Sequence, residues 1–156
     1  MSRVWIWADL HLNHENIIKY ENRPFRNSQE MNDHFLKVWK NTVSKRDLII
    51  NLGDVCLCGY KDSLKEVIRS CPGRKYLILG NHDRKPLEYW HDVGFEFVSK
   101  YPIVFRNKYI LSHEPITFKT SLTNIYGHVH GKKLDIPGMC VSVEQIGYKP
   151  FLLEKN

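Results

Sequence analysis

Five short clusters of acid, amide and imidazole side chains follow one another along the chain: Asp9-Leu10-His11, Gly53-Asp54, Gly80-Asn81-His82-Asp83, Ser112-His113-Glu114-Pro115 and Gly127-His128-Val129-His130. They hold five of the eight histidines. Carboxylate, imidazole and amide donors together suit borderline divalent cations such as manganese, iron, zinc, cobalt or nickel. No thiolate belongs to the set, which speaks against a structural zinc site. In extended backbone, residues i and i+2 project to the same side. Asp9 and His11 are therefore expected to face one metal pair while Leu10 turns to the core, and His128 and His130 likewise with Val129 turned away. Glycines before Asp54, Asn81 and His128 permit sharp turns and close backbone approach. Each cluster alone is commonplace, and Gly-Asn-His-Asp alone reads as a turn. Their number, and their fixed place after apolar segments, point to a site.

Those apolar segments are the elements that must position the clusters. Residues 3–8, 48–52 and 75–79 read as short buried strands, each ending at a cluster. Between them, helices are expected over 15–20, from the capping pair Asn27 and Glu30 to about Val43, over 62–70 before Pro72-Gly73, and over 87–93 before Gly94. Asn22 to Phe25 reads as a loop because Pro24 restricts itself and Arg23. Further on, 95–98, 103–105, 109–112, 124–126, 139–143 and 151–153 read as strands. Alternating strands and helices followed by strands imply a layered α/β fold with a mixed sheet or two sheets. In such folds ligands bind outside the carboxyl ends of the strands, where the clusters converge.

A chain of 156 residues is the size of one domain, residues 1–156, and needs no disulfide to hold a core. Its formal charge of +6 suits phosphorylated partners, nucleic acid included, as well as a merely solvated basic surface. Cys56, Cys58, Cys71 and Cys140 form no close-knit framework and read as buried free thiols of a reducing compartment. The run 4–8 is too short for a signal peptide, and no segment approaches a membrane span. A cytoplasmic protein is expected, monomer or homodimer.

The ordered set Asp9-x-His11, Gly53-Asp54, Gly80-Asn81-His82-Asp83, His113 and Gly127-His128-x-His130 resembles the calcineurin-like metallophosphoesterases over most of the chain. The stretch Asn16-Ile17-Ile18-x-Tyr20-x-x-Arg23-Pro24-Phe25 is similar to one in small bacterial and phage members. The resemblance implies a four-layer α/β/β/α sandwich with two central mixed sheets. It implies two divalent metal ions, manganese foremost. Asp9, His11 and His130 would bind the first, Asn81, His113 and His128 the second, and Asp54 both. His82 would be the catalytic histidine, sitting over the metals. The implied mechanism is attack on phosphorus by a hydroxide that the metal pair activates, with His82 protonating the leaving oxygen or stabilising the phosphoryl charge.

The protein phosphatases of that family carry Asp-Arg-Gly shortly after the bridging aspartate. Here Val55-Cys56-Leu57-Cys58-Gly59 has neither acid nor arginine. Asp83 is a positional candidate to orient His82, Arg23 and Arg84 are candidates to bind phosphate oxygens, and His14 is a candidate to line the mouth. The chain leaves no room after its last cluster for the capping domain of the family's nucleases. Three readings follow. The first is a hydrolase of a phosphorylated small molecule or nucleotide, with diesters ahead of monoesters. The second is a nuclease or nucleic-acid end-processing phosphatase, which the basic balance favours. The third is a non-catalytic metal-bound scaffold, which retention of all seven ligands and His82 disfavours.

Overall fold

The computed structural model describes residues 2–57 and 61–155. Its first sheet has the order β4-β3-β2-β1-β9. β1 (Arg3–Trp7), β2 (Leu48–Asn51), β3 (Arg74–Ile78) and β4 (Phe97–Ser99) run parallel, and β9 (Phe151–Lys155) runs antiparallel to β1. The second sheet has the order β5-β6-β7-β8, from β5 (Ile103–Phe105), β6 (Tyr109–Ser112), β7 (Thr123–Tyr126) and β8 (Met139–Cys140). β6, β7 and β8 are parallel and β5 is antiparallel to β6. This is the expected α/β sandwich with two central mixed sheets.

Alternation along β1 divides the core. Trp5 and Trp7 face the helices α1 (Glu15–Tyr20), α2 (Ser28–Thr42), α3 (Lys61–Ser70) and α4 (Leu87–Val93). Val4, Ile6 and Ala8 face the second sheet, against Leu111, Ile125 and Val141. On α2 the stripe Met31, Phe35 and Trp39 is buried at a spacing of four, and Trp7 meets Phe35 and Trp39 edge to face at 6.0 and 5.3 Å. Burial of such side chains contributes about 1.5–3 kcal/mol each. The α2 cap differs slightly from expectation. Asn27 Oδ1 accepts the Glu30 N–H, but the Glu30 carboxylate accepts from Arg26 N–H rather than closing back on Asn27.

Two strand ends differ for local reasons. β4 begins at Phe97 because Phe95 is drawn into the close of α4, donating its N–H to Trp90 O and packing against that ring. β8 is two residues long because the chain leaves it to bridge β1, with Ala8 N–H donating to Val141 O, and then turns as a 3-10 helix over Val143–Gln145. On the outer face of the second sheet lies the connection 113–122, fastened by buried Asn124, whose Oδ1 accepts from Ile116 N–H. Cys71 is a buried free thiol, Cys56 is buried, Cys140 is half-buried, and Cys58 lies outside the described residues. Among the described residues no helix is long and apolar enough to cross a membrane.

Asp47, just before β2, ties the start of β1 to the turn after α2. Its buried carboxylate accepts from Arg3 N–H, the Arg3 guanidinium, Trp5 Nε1–H and Ser44 N–H. Burial acts to raise its pKa, but these donors outweigh it and hold the carboxyl well below the usual range. A depressed folded pKa supplies stability that is complete above the unfolded value of about 3.9 and is lost as pH falls below it. Asp47→Ala is expected to lower stability by about 2–4 kcal/mol at pH 7. It should also flatten the acid limb of stability between about pH 4 and pH 2. Denaturant melts across that range check both effects, and a parallel acid limb would show that Asp47 is not the titrating group.

Candidate metal centre

The carboxyl ends of β1, β2, β3, β6 and β7 all open on one side of the sandwich, and the five clusters follow them. Glycines bring the loops into contact. A Cβ on Gly80 would fall 2.2 Å from Asp54 Oδ1, and one on Gly127 would fall 2.5 Å from Ala8 Cβ and 2.7 Å from Asp9 Oδ2. The ligand loops therefore close-pack only because these two positions lack a side chain.

The side chains converge, but not by the extended alternation expected. Asp9, His11, Asp54, His128 and His130 all have left-handed backbone, φ 50–70°. Each such non-glycine conformation costs of order 1–3 kcal/mol and persists only where its surroundings impose it. Here the surroundings are specific hydrogen bonds. Asp9 N–H donates to Gly53 O, His11 N–H to Asp54 O, and His128 N–H to Asp9 Oδ2. His82 N–H donates to Asp54 Oδ1 at 2.9 Å. Leu10 does turn into the core, whereas Val129 is only half-buried.

Two groups of donor atoms result: Asp9, His11 and His130, and Asp54, His113 and His128. In the second group, His113 Nδ1–H donates to Leu52 O at 2.7 Å, which leaves Nε2 with its lone pair. That nitrogen faces Asn81 Oδ1 at 2.9 Å, His128 Nδ1 at 3.1 Å and Asp54 Oδ2 at 3.5 Å, and Asn81 Oδ1 lies 3.1 Å from His128 Nδ1. Four electron-rich atoms thus crowd together with at most the His128 proton between them. Ligands about 2.0–2.2 Å from one cation sit at such separations. In the first group, Asp9 Oδ1 and His11 Nε2 are buried without a hydrogen-bond partner. Asp9 Oδ2 is occupied by His128 N–H and Ser142 Oγ–H, so Oδ1 is the free ligand atom. Burial, reinforced by the charges of His130 and Arg23, pushes His11 down to about 2, so its ring is neutral. Asp54 Oδ2 lies 3.5 Å from both His11 Nε2 and His113 Nε2 and so links the groups. The residues present fit a pair of divalent cations.

Beneath the first group lies a pair that sequence reading missed. Glu144 Oε1 accepts from His130 Nδ1–H at 3.0 Å, which leaves His130 Nε2 for a cation. Burial lowers the His130 pKa, but the hydrogen bond to Glu144 and the charges of Asp9 and Glu144 raise it further, so the net shift is upward. Arg23, expected at the substrate, corrects that reading. Its buried guanidinium donates to Leu10 O at 2.8 Å, Asp9 O at 2.6 Å and Glu144 Oε1 at 2.8 Å. It braces the left-handed loop from below and has no face toward a substrate. The visible clue was an acid, Glu144, directly after the buried Val141 and Val143 that follow β8.

Asp83 does not orient His82 either. Its carboxylate accepts from Asp54 N–H, Gly80 N–H and Val55 N–H at 2.7, 2.9 and 3.0 Å, locking two ligand loops together. Burial pushes its carboxyl up to about 7 against those donors. The exposed His82 ring stands 5.3 Å from the His11 ring. His14 caps α1, with Nδ1 accepting from Ile17 N–H, and its ring lies 5.5 Å from His11 with Nε2 as its donor. Arg84 is exposed and donates to Asn81 O.

The chain belongs to the calcineurin-like phosphoesterase family, whose model matches residues 2–155. It is accordingly a metal-dependent phosphoesterase by family. An uncharacterised protein of Methanocaldococcus jannaschii is 34% identical over 99% of this chain and 89% of its own length. The gene 66 protein of Mycobacterium phage D29 is 37% identical over 54% of this chain and 42% of its own. Among solved structures, a protein of unknown function from Aquifex aeolicus superposes with TM-score 0.74 at 22% identity, covering 97% of this chain and 96% of that one. The nuclease MPE of Pseudomonas putida superposes with TM-score 0.58 at 20% identity, over 82% and 61%. The two structures share the fold.

Proposed function

We propose that the protein hydrolyses a phosphodiester with a pair of divalent cations, manganese first among them. The observation that carries this is the convergence of two sets of donor atoms on Asp54 Oδ2, 3.5 Å from an imidazole nitrogen of each set. Asp9, His11 and His130 would hold one cation and Asn81, His113 and His128 the other, with Asp54 between the two sets. Such a pair would supply Lewis-acid chemistry, polarising phosphoryl oxygens and lowering the pKa of water. Glu144 and Asp83 keep ligands and loops in place. His82, hung by its backbone from Asp54, delivers a proton to the leaving oxygen or stabilises charge on the phosphoryl group. His14 Nε2–H and the Arg84 guanidinium are further donors for phosphoryl oxygens.

Diester is preferred to monoester on charge. With Arg23 spent beneath the site, Arg84 is the one guanidinium left of the two expected there, which matches the single negative charge of a diester. The test strips the protein of metal, restores manganese, and compares a chromogenic diester with the matching monoester. Manganese-dependent turnover with the higher kcat/KM on the diester is expected. A site shown to be loaded that turns over neither substrate would move the reading to a binding module.

A further inference from the structure

A cleft of about 670 Å³ opens from Asn81 and His113, running between the loop after β3 and the link from β4 to β5. Its size is that of a small-molecule site. Leu79, Pro86 and Pro102 give it an apolar wall, and Arg84, Lys85 and Lys100 bring cations to it. None of these three has a carboxylate partner within ion-pair distance among the described residues. Glu114 is the opposing charge, since the Asp83 carboxylate is occupied by backbone N–H groups. Three cations against one acid, beside a phosphate-handling centre, call for a second anion on the substrate. An apolar wall beside it suits the face of a base, which stacks without regard to sequence.

We propose that this cleft takes the nucleoside-phosphate unit flanking the scissile ester. Its base lies along Pro86 and Pro102, and its second phosphate lies between Lys85 and Lys100, with Arg84 left to the scissile phosphate. The substrate is then a nucleotide bearing two phosphates, from a nucleic-acid strand or free. The assignment rests on the phosphoesterase reading, because a phosphate at Asn81 and His113 sets the register.

Calorimetry on the manganese-loaded protein tests it. Thymidine 5′-phosphate and thymidine 3′,5′-bisphosphate share the phosphate at the metals and differ in the second. The bisphosphate is expected to bind at least tenfold tighter at low salt, with the advantage shrinking as salt screens it. In the Lys85→Ala/Lys100→Ala variant, both exchanges being at the surface, the ratio should fall to within twofold. A wild-type ratio within twofold, or a ratio that the double variant leaves intact, would overturn the proposal. A dinucleotide bearing a 5′-phosphate separates the sources: tighter binding than the bisphosphate identifies a strand, and equal binding a free nucleotide. Failure of the hydrolase reading shows elsewhere, as no turnover of bis(p-nitrophenyl) phosphate by the wild type, and leaves the binding ratio readable.

Discussion

Asp54→Asn is expected to abolish manganese-dependent activity, by at least about a thousandfold, while leaving the metal-free protein at least as stable as the wild type. The two halves of that expectation come from one geometry. Asp54 Oδ2 stands 3.5 Å from His11 Nε2 and from His113 Nε2, within reach of both donor groups. Replacing it with an amide removes the negative charge that a cation pair needs most. Without metal, however, the same exchange is favourable. The amide oxygen can keep the His82 N–H that Asp54 Oδ1 now accepts at 2.9 Å. The amide N–H then faces the His11 and His113 ring nitrogens, and a buried charge is gone. Manganese at about 100 times its dissociation constant should stabilise the wild type by about 2.7 kcal/mol per site. At about 2–4 °C per kcal/mol for a chain this size, each occupied site raises its midpoint by about 5–10 °C and the pair by about 10–20 °C. The variant should show no such rise. Thermal melts with and without manganese read this directly. A variant that melts well below the metal-free wild type would show that Asp54 serves the fold rather than the metals.

How much of this was written in the sequence depends on the range of the interaction. The strands and helices were legible because each rests on local periodicity. The stripe Met31, Phe35 and Trp39 marks α2, and Gly94, at φ +118°, marks the end of α4. The candidate donor groups were legible because their residue types follow strand ends in order. The backbone that aims the ligands was not. Asp9, His11, Asp54, His128 and His130 adopt left-handed φ against their own preference, and the hydrogen bonds that impose it come from other loops. A hint existed, since Asp and His enter that region more readily than most residues. Arg23 and Glu144 were illegible for the same reason in stronger form. They meet across 121 residues, and an arginine after a short helix looks from sequence like any surface cation. Asp83 sits beside His82 in the chain, yet its carboxylate is turned to the backbone of Asp54, Val55 and Gly80. Proximity in sequence suggested a partner that hydrogen-bond demand assigned elsewhere.

His82→Ala should separate chemistry from metal binding. The His82 ring is exposed, so its loss should change stability by no more than about 0.5 kcal/mol. Its backbone N–H, which the substitution retains, is the part bonded to Asp54. Metal content by emission spectroscopy is therefore expected to match the wild type, while kcat falls by about 10²–10⁴. The size of the fall should depend on the leaving group if the ring acts as an acid. A p-nitrophenolate departs readily as the anion, whereas an alkoxide needs a proton as it leaves. The loss should accordingly be at least tenfold larger on an alkyl diester than on the nitrophenyl diester. An equal loss on both would assign His82 to stabilising charge on the phosphoryl oxygens, a role blind to the leaving group. Loss of metal along with activity would instead make the ring part of the cation site, and the 5.3 Å between the His82 and His11 rings would then be the distance to explain.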